Sequence, residues 1–145
     1  MAVQIKRAYE KAAAGDGVRV LVDRLWPRGI TKTAARIDRW MKDLAPSDEL
    51  RKWYHARPEQ WLAFRKRYLE ELKEPEAALA LDELYEIASA RKRVTLVYAS
   101  REEKHNNAAV LRDLLNGMKK PPRSTGPAGE AAAGRMRARA RVPRR

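Results

Sequence analysis

Apolar and polar residues alternate from Val3 through Ile5 and Arg7 against Gln4 and Lys6, up to Tyr9, the pattern of a half-buried strand. Gly15-Asp16-Gly17 breaks the chain, and the β-branched run Val18-Arg19-Val20-Leu21-Val22-Asp23 predicts a buried strand. A third such run, Val94-Thr95-Leu96-Val97-Tyr98, comes late in the sequence. Between them the period becomes helical. Ile37, Trp40, Met41 and Leu44 follow the i, i+3, i+4, i+7 spacing and predict a helix that Pro46 stops. Ser47 suits the cap of the next helix, with Asp48 and Glu49 opposing the helix dipole and Leu50, Trp53 and Tyr54 turned inward. Pro58 fits the first position of a further helix lined by Trp61, Phe64, Tyr68, Leu69 and Leu72, which leaves Arg65, Lys66 and Arg67 to water. Pro75 opens another, with Leu81, Leu84, Tyr85 and Ala88 inward. Ser100-Arg101-Glu102-Glu103 matches a capping box that would start the last helix directly after the third strand. Leu111, Leu114 and Leu115 supply its core face, and Gly117 is placed to close it in the left-handed conformation.

Strands alternating with helical segments predict an α/β fold, with a small, mainly parallel sheet of three or more strands packed by about five helices. The first strand is the exception, since the short connection from Glu10 to Gly17 suits a hairpin better than a helical crossover. The folded domain is expected over residues 1–117.

Charge changes the picture only at the end of the chain. The 145 residues carry 32 Lys and Arg against 19 Asp and Glu, a formal +13. Residues 1–117 hold 23 basic against 18 acidic residues, and residues 118–145 hold 9 against 1. The folded part is therefore only mildly basic, and the Pro/Gly/Ala/Arg-rich segment 118–145 has too little apolar side chain to offset the entropy of ordering it. We expect that tail to be disordered, a solvated extension that touches polyanions such as nucleic acid weakly. With no cysteine in the chain, disulfides, thiolate metal sites and cysteine nucleophiles are excluded. The opening residues Met1 to Lys6 lack the apolar stretch of a secretory signal, and no segment approaches the roughly 18 apolar residues a membrane span requires. The expected location is cytoplasmic, with no membrane partner.

Two connections after strands carry the candidate chemistry. In Asp23-Arg24-Leu25-Trp26-Pro27-Arg28-Gly29, Arg24 and Arg28 are guanidinium forks suited to phosphate or carboxylate, and Trp26 offers a flat face to a base. The structural alternative pairs Asp23 with Arg24 and buries Trp26 in the core. In the segment Ser100 to Asn107, a helix amino end beside Arg101 forms an anion site, and His105 is a candidate acid or base oriented by Asn106 or Asn107. There the duller reading makes Ser100 a cap and His105 a surface residue. No phosphate loop, dinucleotide fingerprint or nucleophile elbow occurs, and two distant histidines single out no metal site, so no cofactor and no metal are expected. Trp40, Trp53 and Trp61 fall on helical apolar stripes, which assigns them to packing.

The motifs Val20-Leu21-Val22-Asp23-Arg24-Leu25-Trp26-Pro27-Arg28-Gly29, Trp40 to Ser47, Leu50-Arg51-Lys52-Trp53, Val94 to Ala99 and His105-Asn106-Asn107-Ala108 together resemble the YeaO-like branch of the DUF488 family, over about residues 3–116. The resemblance implies a small bacterial α/β protein with no assigned reaction. It also favours one pocket made by Asp23, Arg24, Trp26, Arg28, Ser100, His105, Asn106 and Asn107. The leading expectation is a pocket for a small anionic or nucleotide-like ligand, with Arg24, Arg28 and Arg101 binding and Asp23 or His105 available for proton transfer. The competing expectations are a nucleic-acid-binding module that uses the tail and the Arg65-Lys66-Arg67 face, and a structural or interaction domain without catalysis.

Overall fold

A computed structural model of the chain describes residues 2–91 and 93–118; the basic segment from Lys119 onward, expected to lack fixed structure, lies outside the described residues. The elements are β1 (Ala2–Arg7), β2 (Val18–Leu21), α1 (Lys32–Ala35), β3 (Arg39–Trp40), α2 (Asp48–Ala56), α3 (Trp61–Glu71), α4 (Pro75–Ala90), β4 (Arg93–Tyr98) and α5 (Asn107–Gly117). The four strands form one parallel sheet in the order β1-β4-β2-β3. The α/β fold and its parallel sheet are as the periodicity predicts.

The two faces of the sheet are built differently. Val20, Val22, Val94, Leu96 and Tyr98 point to one face, where Leu50, Phe64, Tyr68, Leu84 and Leu111 of α2 to α5 close a continuous core over them. On the opposite face Leu21, Val97 and Ala8 are packed, among the described residues, against Trp26, Ile30 and Ile37 from the segment between β2 and β3 and against Trp40 of β3. Parallel strands need cover on both faces, and here one cover is a helical layer and the other a loop.

The hairpin expected between the first two strands does not form. β4 inserts between β1 and β2, and all three run parallel, so residues 8–17 must return along the sheet without an α-helix, with only a single 3-10 turn at Ala14–Asp16. A six-residue strand is roughly 20 Å long, a distance that ten extended residues span with slack. The returning segment is tied down by buried charge. Asp16 accepts Arg19 Nη1 at 2.6 Å, Lys6 Nζ at 3.1 Å and the Ala13 N–H at 3.0 Å, and its carbonyl takes the Thr95 hydroxyl at 2.7 Å. Gly17 completes the turn at φ +66°, against the backbone of Arg93.

Four further expectations are corrected, the simplest being that α3 begins at Trp61 with Pro58 in the turn before it. Ile37 to Leu44 is not an α-helix: α1 is capped by Arg36 in the left-handed conformation, Asp38 and Met41 donate backbone N–H groups to Arg19 and Leu21 on either side of the short edge strand Arg39–Trp40, and only Lys42–Leu44 winds into a single 3-10 turn. Trp40 thus sits on β3 rather than on a helical stripe. The last helix starts at Asn107, capped by Asn106, not at Ser100. Arg101 to His105 contains no apolar residue, so helical winding there would bury nothing. Gly117 is the last residue of α5, and it is not among the residues with positive φ. Ser47 caps α2 as expected, its Oγ accepting the Leu50 N–H at 3.1 Å, and Pro75 opens α4. No helix among the described residues is long and apolar enough to cross a membrane.

Candidate functional site

The carboxyl ends of β1, β2 and β4 lie at one rim, where the connections after each strand meet. Asp23 is the centre of this rim. One carboxylate oxygen accepts the Asn107 side-chain amide at 3.0 Å and the other accepts the Ala99 N–H at 2.9 Å. The same Asn107 amide nitrogen donates to the carbonyl of Val22 at 3.0 Å. Burial raises the Asp23 carboxyl above its ordinary value, and the bonds from Asn107 and Ala99 and the charge of Arg51 only partly offset this. Asn106, immediately before, caps α5 by accepting the Ala109 N–H at 2.8 Å and donates to the Glu102 carbonyl at 2.7 Å. Two adjacent asparagines therefore have distinct tasks: one starts the helix and the other fastens it to β2.

Arg24 leans toward the amino end of α2. Its Nη2 lies 3.5 Å from the Ala45 carbonyl, at the outer limit of a hydrogen bond, and its charge helps to hold the exposed Asp48 carboxyl low, after the larger effect of the Arg51 hydrogen bond. Arg51 stands beside it, bonded to Asp48 at 3.0 Å. Beneath them the buried Tyr68 hydroxyl donates to the Leu44 carbonyl. Burial, and then the nearby Asp23 and Glu71 carboxylates, push its ionisation well above the usual tyrosine value. Arg7 fastens the third connection by donating from Nε to the Ser100 carbonyl at 2.9 Å.

The expected pocket is therefore only partly assembled. Asp23, Arg24, Asn106 and Asn107 come together at the rim. Trp26 does not present its face there: its indole N–H donates to the Ile30 carbonyl at 2.6 Å, and its ring meets Trp40 edge-on at 5.5 Å on the loop-covered side of the sheet. Arg28 belongs to that same loop, with its carbonyl taken by the Tyr9 hydroxyl at 2.9 Å. His105 lies on the helical side, its ring stacked on Trp61 at 4.7 Å, with its carbonyl accepting the Tyr54 hydroxyl at 3.0 Å. Ser100 is exposed and accepts the Glu102 N–H at 3.1 Å, and Arg101 is exposed beside it. Glu102 shapes this connection by accepting the N–H groups of His105 and Lys104, which together hold its carboxyl below the usual range. Reading the residues singly missed Arg51 and Tyr68 as members of the rim; both lie on helices whose stripes account for only one of them.

A cavity of about 630 Å³ lies at the opposite, amino-terminal edge, between α4 and the start of β2, lined by Val18, Asp38, Arg39, Glu83, Ile87 and Arg91 among others. None of the residues singled out in the sequence borders it. Among the described residues no group of three or more His, Asp or Glu side chains is placed to hold a metal ion.

Residues 2–128 match the model of the family described as the inactive DUF488-N3 subclade. An uncharacterized protein of Mycobacterium tuberculosis is 48% identical over 115 residues, which cover 79% of this chain and 94% of that protein. The uncharacterized protein YeaO of Escherichia coli is 42% identical over 120 residues, 81% of this chain and all of that protein. No solved structure matches. The match to the family model over most of the chain, with the identity to YeaO across its whole length, makes this protein a YeaO-like member of the DUF488 family.

Proposed function

We propose that this protein binds a small anionic ligand at the carboxyl-end rim of its sheet and carries out no reaction on it. The observation behind this reading is the division of tasks around Asp23. Both oxygens of its carboxylate are engaged, by Asn107 and by Ala99, in holding the last helix and the post-β4 connection to β2. Each oxygen accepts one of these bonds, which fixes the carboxylate as a clamp between elements, whereas a general base must be able to reach its substrate proton. His105 is stacked on Trp61 and is part of the helical layer. The cationic groups differ in this respect. Arg24 is exposed, and among the described residues its only hydrogen bond is the long one to Ala45, with the Asp48 carboxylate that Arg51 pairs near enough to feel its charge. Guanidinium forks bind phosphate or carboxylate through paired N–H groups, and the positive ends of α2 and α5 at this rim add to the attraction. The description of the subclade as inactive supports a binding rather than a catalytic role. The same reading puts the protein in the cytoplasm, which a chain without cysteine suits.

The test is thermal denaturation of the full chain with inorganic phosphate, citrate or adenosine monophosphate. At least one should raise the melting temperature saturably. Arg24→Ala should weaken that ligand by roughly tenfold or more, the value of a hydrogen bond to a charged group, while leaving the unliganded melting temperature in place. Absence of a shift with all three anions, or full affinity in Arg24→Ala, would overturn the reading, and turnover of a bound ligand would overturn its non-catalytic half.

A further inference from the structure

Further along α2, away from the rim, a second cationic feature has a more specific geometry. Trp53 projects between α2 and α3, and two guanidinium groups are drawn to its indole: the Cζ of Arg57 lies 5.4 Å and that of Arg67 4.2 Å from the ring centroid. The two cations are consequently within about 10 Å of each other, a separation at which physiological salt leaves part of their repulsion unscreened. The ion pairs of these helices do not include them: Asp48 pairs with Arg51 and Lys52, and Glu70 pairs with Lys73. Arg57 makes only a 3.4 Å contact to the Trp53 carbonyl. The ring orients both forks and supplies no counter-charge, which leaves their N–H edges available to an anion.

The surroundings extend this feature over both helices. Lys52, Arg65 and Lys66 are exposed, Lys52 pairing with Asp48, and from Lys52 to Arg67 the sequence holds five Lys and Arg against the single acid Glu59. A lone phosphate needs one fork, whereas two forks held on one ring match successive phosphates of a chain. A protein partner would need an apolar centre, and the one large apolar side chain strongly exposed on this pair is Leu62, at 77%. We infer that the α2–α3 face binds the phosphate backbone of a nucleic acid, with Arg57 and Arg67 gripping phosphates on either side of Trp53. This inference is independent of the proposed anion rim.

The test is binding of a fluorescein-labelled single-stranded DNA to the full chain, followed by anisotropy across a salt series. Affinity should fall steeply with salt, and Arg57→Ala/Arg67→Ala should reduce the slope of log affinity against log salt by about 1.4, the loss of two single-strand phosphate contacts. Lys11→Ala/Lys32→Ala removes the same charge from exposed positions elsewhere and should leave the slope nearly as in the wild type. Both arginines are exposed, so melting should change little in the test variant. No binding at low salt, an unaltered slope in Arg57→Ala/Arg67→Ala, or an equal loss in the control pair would each overturn the inference. Polyglutamate competing as strongly as the DNA would overturn it in favour of an acidic protein partner.

Discussion

Replacing Asp16 by alanine asks whether the return from β1 to β2, which has no α-helix, is held by its buried charges. Asp16 and Arg19 are each only 3% exposed, and Asp16 is the ion-pair partner of both Arg19 and Lys6. Removing the carboxylate leaves the Arg19 guanidinium in the interior with one remaining bond, from Nε to the Ala35 carbonyl at 3.0 Å. Breaking a buried pair from one side costs about 3–5 kcal/mol. The lower end applies here because Lys6 is partly exposed and can turn to water, so Asp16→Ala should cost about 3 kcal/mol, or roughly 10 °C in melting temperature for a domain of this size. The double variant Asp16→Ala/Arg19→Met removes the stranded charge and should recover part of that loss, as urea denaturation followed by circular dichroism would show. The pH profile adds a second check. Burial pushes the Asp16 carboxyl up, but the Ala13 N–H, Lys6 and Arg19 together outweigh it and bring it below its ordinary 3.8. The unfolded chain then takes the proton first, so this contribution is complete above 3.8 and is lost as pH falls through the folded value. Asp16→Ala should lack that part of the acid limb. A cost under about 1 kcal/mol, or a double variant no better than the single, would refute the reasoning.

Two other predictions follow from the same coordinates. Gly17→Ala places a Cβ 2.7 Å from the Arg93 carbonyl carbon and nearer still to its oxygen, at φ +66°, so it should cost more than about 3 kcal/mol. Gly29→Ala, at φ +81° with nothing within 4 Å of the added atom, should cost only about 1 kcal/mol; equal melting temperatures for the two variants would contradict the close approach at Gly17. Asp23 has the opposite linkage to Asp16: its folded value is raised, chiefly by burial, so the native state holds the proton more tightly and stability falls as pH rises from 3.8 through that value. Asp23→Asn removes this dependence, and its stability deficit relative to the wild type should shrink as pH rises through that window in urea titrations; a deficit independent of pH would show that Asp23 is not buried in its charged form.

Three of the four strands and four of the five α-helices were legible because their signals are local. The β-branched runs at Val18 and Val94, the Ser47 cap and Pro75 each act within a few residues of themselves. Two of the failures involve partners elsewhere in the chain. Ile37 to Leu44 has helical spacing, but Asp38 and Met41 meet the unpaired carbonyls of Arg19 and Leu21, and pairing them outweighs a weak periodicity. The expected hairpin failed because β4, about ninety residues later, takes the place beside β1 that a hairpin partner would occupy. Nothing in the segment 8–17 could announce this; Asp16 has a cation three residues on in Arg19, so its pairing gives no sign of where β4 will lie.

The rim shows the same limit on a smaller scale, and it bears on function. Asp23 and Asn107 are 84 residues apart and meet only because β2 and β4 are neighbours and α5 begins just past the end of β4. Had the helix started at Ser100, as the capping pattern suggested, Asn107 would lie two turns inside it and could not reach Val22 and Asp23. The absence of apolar residues from Arg101 to His105 delays the helix, and that delay brings Asn106 to the cap and Asn107 to the carboxylate. The polar residues that first suggested a catalytic centre are thus largely what closes the carboxyl end of the sheet. What the closure leaves exposed at the rim is the guanidinium of Arg24, and the proposed anion site rests on that group.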